Sequence, residues 1–179
     1  MGKKKYVAYV GTYTHGTSKG IQVYDVDVEN GKLTERSEVE VSNASHLAVS
    51  KNGKYLYSIE DEGVAVFRRD KNGDLSRINS VDINGMRGCY LATDVDGRYL
   101  YVAGYHDGKV TVVHTHKDGR LGSVMDGVFH KGLGSVAERN FRPHVNCVRP
   151  TPDNKYLCAV DNGIDQVKIY RINKKKDKL

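Results

Sequence analysis

Between Arg139 and Asp161 the chain gathers three arginines (Arg139, Arg142, Arg149), one histidine (His144), two of its three cysteines (Cys147, Cys158) and all three prolines (Pro143, Pro150, Pro152). An imidazole titrates near neutrality, so it can take up a proton and return it. Guanidinium groups grip carboxylates and phosphates through paired, charge-assisted hydrogen bonds. A titratable ring among cations suits a small anionic ligand and a reaction that moves a proton. The prolines restrict the backbone on either side of the ring.

Two recurring turn sequences connect this stretch to the rest of the chain. Asn30-Gly-Lys-Leu33 returns as Asn72-Gly-Asp-Leu75 and Asp118-Gly-Arg-Leu121. Asn52-Gly-Lys-Tyr-Leu-Tyr57 returns as Asp96-Gly-Arg-Tyr-Leu-Tyr101 and Asp153-Asn-Lys-Tyr-Leu-Cys158. Alignment on these turns puts Asn43, Arg87 and His144 in register, and two residues on, Ser45, Cys89 and Asn146. A spacing of two places both members of each pair on one side of an extended strand. Arg139 and Arg142 flank the same place, and His106 sits at a hairpin in Tyr105-His106-Asp107-Gly108. Asn43 and Ser45 read equally well as turn-forming residues. His15 also reads as a turn residue, and His130 shows no partner. His114 and His116 share a strand face, but two imidazoles without a third ligand do not define a metal site. The chain has no Ser-His-Asp motif, P-loop or dinucleotide-binding glycine pattern.

The elements that must carry these residues are strands. Repeats in the low-to-mid forties, with alternating apolar runs such as 20–27, 63–70, 108–115 and 165–172, predict a β-propeller. Asn-Gly and Asp-Gly between such runs are hairpin turns, because both residues tolerate positive φ. The expected fold is all-β: a propeller of four-stranded antiparallel blades, two of them full and two partial. The units are an incomplete first blade (6–42), a second (43–85), a third (86–130), an inserted loop (131–142) and an incomplete fourth (143–179). In the complete units the expected innermost strands are about 45–50, 88–94 and 144–149. Innermost strands line the central channel of a propeller, and the segments leading into them crowd its mouth. Blades cut short at both ends leave apolar sheet faces open, so the expected partner is a missing C-terminal half or another copy of the chain.

The 179 residues carry 28 basic against 22 acidic side chains, with lysine runs near both termini that read as solvated tails. No interleaving of basic and aromatic residues on one face points to nucleic acid. No apolar run is long enough to span a membrane and no signal sequence is evident. Three cysteines without metal-ligand spacing are expected to be reduced thiols in a cytoplasmic protein.

Tyr9-Val-Gly-Thr-Tyr-Thr14, Gly20-Ile-Gln-Val-Tyr24, Arg87-Gly-Cys-Tyr-Leu91, Val102–Gly108, Pro143-His144 through Pro152-Asp153, and Asp161–Gln166 occur in that order. Together they resemble the first half of the bacterial 6-phosphogluconolactonases of the seven-bladed propeller type, whose superfamily includes the carboxymuconate cyclases. The resemblance implies hydrolysis of 6-phosphogluconolactone, or a similar small anionic sugar lactone, in the pentose phosphate pathway, with no metal or organic cofactor. With the aligned positions, this makes His144, Asn146 and Arg142 the candidate catalytic residues, and Arg87, Cys89, Asn43, Ser45, Arg139 and His106 the candidate substrate-binding residues. Many relatives read Pro-His-x-His at this place, and the second histidine is credited with catalysis. Asn146 stands there in this chain; it can donate to an oxyanion but cannot act as a base. Further catalytic residues of the family lie beyond Leu179, so the 179 residues alone are expected to be inactive. The alternative is a non-catalytic propeller that binds or assembles and has lost the lactonase chemistry.

Overall fold

The computed structural model describes residues 5–136, 138 and 140–179, and over these it is built of strands in four antiparallel sheets. The first sheet holds β1 (Tyr6–Gly11), β2 (Gly20–Asp27) and β3 (Lys32–Glu40). The second holds β4 (Leu47–Val49), β5 (Tyr55–Glu60), β6 (Gly63–Arg69) and β7 (Leu75–Asp82). The third holds β8 (Tyr90–Thr93), β9 (Tyr99–Gly104), β10 (Lys109–Thr115) and β11 (Leu121–Phe129). The fourth holds β12 (Val145–Pro150), β13 (Tyr156–Asp161) and β14 (Gln166–Arg171). Each sheet is a meander, with every strand paired to its sequence neighbour. This is the propeller blade, twice with four strands and twice with three.

The recurring turns close the hairpins with the backbone conformation their residues favour. Gly53 and Gly97 both turn at φ 69°, and Asn154 takes the same place in the fourth blade at φ 56°. Asparagine is among the few residues that tolerate this conformation, and here its side chain has a second use. Asn154 Nδ2 donates to Asp94 Oδ2 (3.1 Å) and Asp96 Oδ2 (3.0 Å), tying the fourth blade to the third.

The core lies between blades. Tyr57, Ile59, Val64 and Val66 of the second blade pack on Leu91, Leu100, Val102 and Val113 of the third. Tyr99, Tyr101, Val110 and Val112 of the third pack on Val145, Val148, Leu157 and Ala159 of the fourth. A smaller cluster, with Ile21, Leu56 and Phe67, joins the first blade to the second. Polar ties run along the same seams. Asn79 donates to Leu121 O (2.8 Å) and accepts from Leu121 N (3.0 Å), and the buried Lys109 ammonium caps Ile83 O and Asn84 O, both at 2.8 Å.

The innermost strands start differently from the sequence expectation. In the second blade pairing begins at Leu47, because Asn43 adopts φ 47° and Ser45 N turns back to Asn43 O at 2.6 Å. In the third, pairing begins at Tyr90, and in the fourth at Val145. Asn146 falls in a bulge, since Val145 pairs with Asp161 and Cys147 with Val160.

Candidate active site at the channel mouth

β4, β8 and β12 lie side by side, so the segments leading into them meet at one mouth of the channel. His144 is held there by Asp161, Tyr105 and Phe141. Its backbone N–H donates to Asp161 Oδ1 at 2.7 Å. Its ring stacks on Tyr105 (centroids 4.4 Å apart, planes 19° apart) and meets Phe141 edge-on at 6.3 Å. Its Nδ1 lies 2.8 Å from Tyr105 O. A carbonyl can only accept, so Nδ1 carries the proton and the lone pair of the neutral ring sits on Nε2. Gly163 makes room: a Cβ there would lie 2.0 Å from Arg142 O and 2.8 Å from His144 Cδ2.

Asp161 is the hub beneath the ring. Its Oδ1 also accepts from Gly163 N at 3.0 Å, and its Oδ2 lies 2.7 Å from His130 Nδ1, with both side chains fully buried. His130 therefore has a partner after all, 31 residues away in sequence. Burial holds the His130 imidazole below its usual range, against the pull of Asp161. Its Nε2 has no hydrogen-bond partner among the described residues. The carboxylate thus fixes the backbone of His144, the loop 162–165 and the end of β11 together.

The other expected site residues divide. Arg87 Nη1 donates to Asp61 Oδ1 at 3.0 Å, and its guanidinium lies over Tyr13. Asn43 Nδ2 donates to the same Asp61 oxygen at 2.7 Å, while Asn43 Oδ1 accepts from Thr14 N at 2.9 Å. The Asn43 amide, with Arg87 and Ser42 behind it, holds the Asp61 carboxyl below its usual range. Asn43 is thus committed to joining the first two blades, and Arg87 is held at the mouth by a carboxylate the sequence reading passed over. Ser45 Oγ is buried with no partner among the described residues. Cys89 Sγ lies 3.4 Å from Val145 O, and burial pushes its thiol up to about 11, so it serves packing rather than nucleophilic attack. Asn146 is exposed on its bulge, Arg142 is exposed with its guanidinium over Phe141, and His106 is exposed against the edge of Tyr105. Arg139 lies outside the described residues. His114 and His116 meet edge-on at 4.7 Å, and no group of three metal-ligating side chains occurs among the described residues.

The mouth offers a ring nitrogen with a free lone pair, an exposed amide two residues away, and the guanidiniums of Arg87 and Arg142. This set can accept a proton, donate to a developing oxyanion and attract an anion.

With fold and mouth in view, comparison with known proteins assigns the class. The family described as a seven-bladed β-propeller lactonase matches residues 7–179, and the chain belongs to it. Among its relatives is the 6-phosphogluconolactonase of Bacillus subtilis, 38% identical over 174 residues that cover 94% of this chain and 50% of that protein. The 6-phosphogluconolactonase of Formosa agariphila is 30% identical, with 92% of this chain and 49% of that one covered. The solved periplasmic gluconolactonase of Pseudomonas aeruginosa superposes with a TM-score of 0.90 at 31% identity, covering 97% of this chain and 52% of that one. The chain spans about half the length of these relatives.

Proposed function

We propose that this chain forms the His144 side of a sugar-lactone hydrolase, acting on 6-phosphogluconolactone or a close analogue once a seven-bladed ring is complete. The observation that carries this reading is the Tyr105 carbonyl on His144 Nδ1, which leaves Nε2 as the basic atom at the channel mouth. In this reading Nε2 removes a proton from water as the oxygen attacks the lactone carbonyl. Asn146 donates to the oxyanion that forms. The imidazolium then returns its proton to the ring oxygen as the C–O bond breaks, giving the open acid. Arg142 and Arg87 attract the anionic substrate, with Arg87 positioned by Asp61. The names of the Bacillus subtilis and Formosa agariphila relatives support the phosphorylated substrate. The three free thiols accord with a cytoplasmic setting.

The test is a fusion of this chain to the second half of the Bacillus subtilis relative, purified free of host lactonase. It should open 6-phosphogluconolactone well above the spontaneous rate, and His144→Ala should remove at least a hundredfold of kcat. The 179 residues alone should not turn over. An active fusion indifferent to His144→Ala would sink the assignment of the base.

A further inference from the structure

The innermost strands carry a second group of polar side chains, deeper in the channel, that the proposed reaction does not use. His46, just before β4, stacks on Tyr90 of β8 with centroids 4.2 Å apart. Tyr90 Oη accepts from Arg149 Nη1 of β12 at 3.2 Å. The three residues thus come from three successive blades and line one pocket of about 550 Å³, whose walls are β4, β8, β12 and the residues just beyond them. His46 aligns with Tyr90 through the pairing of each strand with its neighbour, three residues further in than Arg87. That is roughly 10 Å of extended chain. Arg149 lies five residues beyond His144, roughly 16 Å along β12 by the same rise.

The chemistry of this group is one-sided. Leu91 N–H donates to His46 Nδ1 at 3.1 Å, so the neutral ring must carry its proton on Nε2. His46 is therefore the reverse of His144: a fixed donor where the other is a base. Burial also holds its imidazole low, which favours that neutral state. Tyr90 uses a lone pair to accept from Arg149, which leaves its own proton free to donate. Arg149 makes no ion pair among the described residues, unlike Arg36, Arg77, Arg87, Arg98 and Arg120. No carboxylate among the described residues lines the pocket. The Pro150 ring confines the backbone of Arg149 to extended conformations, so the guanidinium starts from a restricted position.

We propose that His46, Tyr90 and Arg149 form a second binding site on the channel wall, distinct from the His144 mouth, for a small oxyanion such as a phosphate or carboxylate group. A cation with unspent donors, a phenol with a free proton and an imidazole locked as a donor are complementary to such a group, and charge-assisted hydrogen bonds supply the affinity. The site does not depend on turnover at His144.

The experiment is calorimetric titration of inorganic phosphate into the purified protein, followed by 6-phosphogluconate and gluconate as separate ligands. Saturable phosphate binding is expected. It should weaken at least tenfold in Arg149→Gln and severalfold in Tyr90→Phe, and remain unchanged in Arg120→Gln, whose arginine is exposed elsewhere. Tighter binding of 6-phosphogluconate than gluconate, lost with Arg149→Gln, would assign the site to phosphate; equal binding of both, lost with the same change, would assign it to carboxylate. Circular dichroism checks that each variant is folded, and a His46→Gln variant gives a second reading if Arg149→Gln is not. Absence of saturable binding by all three ligands, or binding insensitive to both Arg149→Gln and His46→Gln, would overturn the proposal. Lactone turnover in the ring-completed fusion is read separately, so either idea can fail alone.

Discussion

Replacing Asp161 by asparagine changes one buried charge and almost no volume, yet it should weaken the fourth blade substantially. The native carboxylate accepts three hydrogen bonds: from His144 N at 2.7 Å, Gly163 N at 3.0 Å and His130 Nδ1 at 2.7 Å. An asparagine oxygen can keep the two backbone donors, but as a neutral acceptor, at a loss of about 0.5–1.5 kcal/mol each. Its amide nitrogen then faces His130 Nδ1 and must donate to it. That forces the His130 proton onto Nε2, which is buried without a partner among the described residues. An unsatisfied buried donor costs about 1–3 kcal/mol. Relief from burying a charge offsets part of this. The expected net loss is about 2–4 kcal/mol, or a fall in Tm of very roughly 5–15 °C for a chain of this size. Asp161→Ala loses all three bonds and should cost about 3–5 kcal/mol. Thermal unfolding by circular dichroism measures both. A change below about 1 kcal/mol in Asp161→Ala, against the size that three lost bonds imply, would refute the reasoning.

Asn154→Gly should keep the turn but lose both bonds to the third blade, at about 1–3 kcal/mol, while Asn154→Ala adds about 1 kcal/mol of left-handed strain; urea unfolding of the pair separates the two contributions. Cys89 should react with iodoacetamide at least tenfold more slowly than an ordinary free thiol at about pH 8, since burial raises its pKa, and equal modification of all three cysteines in the folded protein would count against it. Burial lowers the pKa of both His46 and His130 in the fold. The unfolded chain therefore binds more protons below the ordinary imidazole value, and stability present above about pH 6.5 is lost as pH falls, by at most about 1.4 kcal/mol per unit per ring. Unfolding that needs no less denaturant at about pH 5.5 than at 7.5 would contradict that sign.

The blades were legible because their signals are local. Asn30-Gly, Asn52-Gly, Asn72-Gly, Asp96-Gly and Asp118-Gly announce hairpins within a few residues of themselves, and the alternating runs beside them declare strands. His144 was legible for the same reason, since alignment of repeats carries it to a channel mouth without any knowledge of packing. What the sequence hid depends on contacts between blades. Asp161 looks like one more turn-forming aspartate, and only its burial beside His130 distinguishes it. Asp61 looks like the solvent-facing partner of Glu62, yet it holds Asn43 and Arg87 together. His46 carries no motif, and its role appears only when β4 meets β8. The bulge at Asn146 was hidden as well, because a register shift is decided by the pairing of β12 with β13.

The central claim is that His144 is held as a base with its lone pair on Nε2. Long-range proton–nitrogen correlation NMR on protein labelled at its histidine nitrogens reads the tautomer of each ring directly. At a pH above imidazole titration, His144 should show a protonated Nδ1 and a bare Nε2, with His46 showing the opposite pattern in the same spectrum. A His144 ring protonated on Nε2 would contradict the account, because the atom assigned to accept the proton of water would already be occupied.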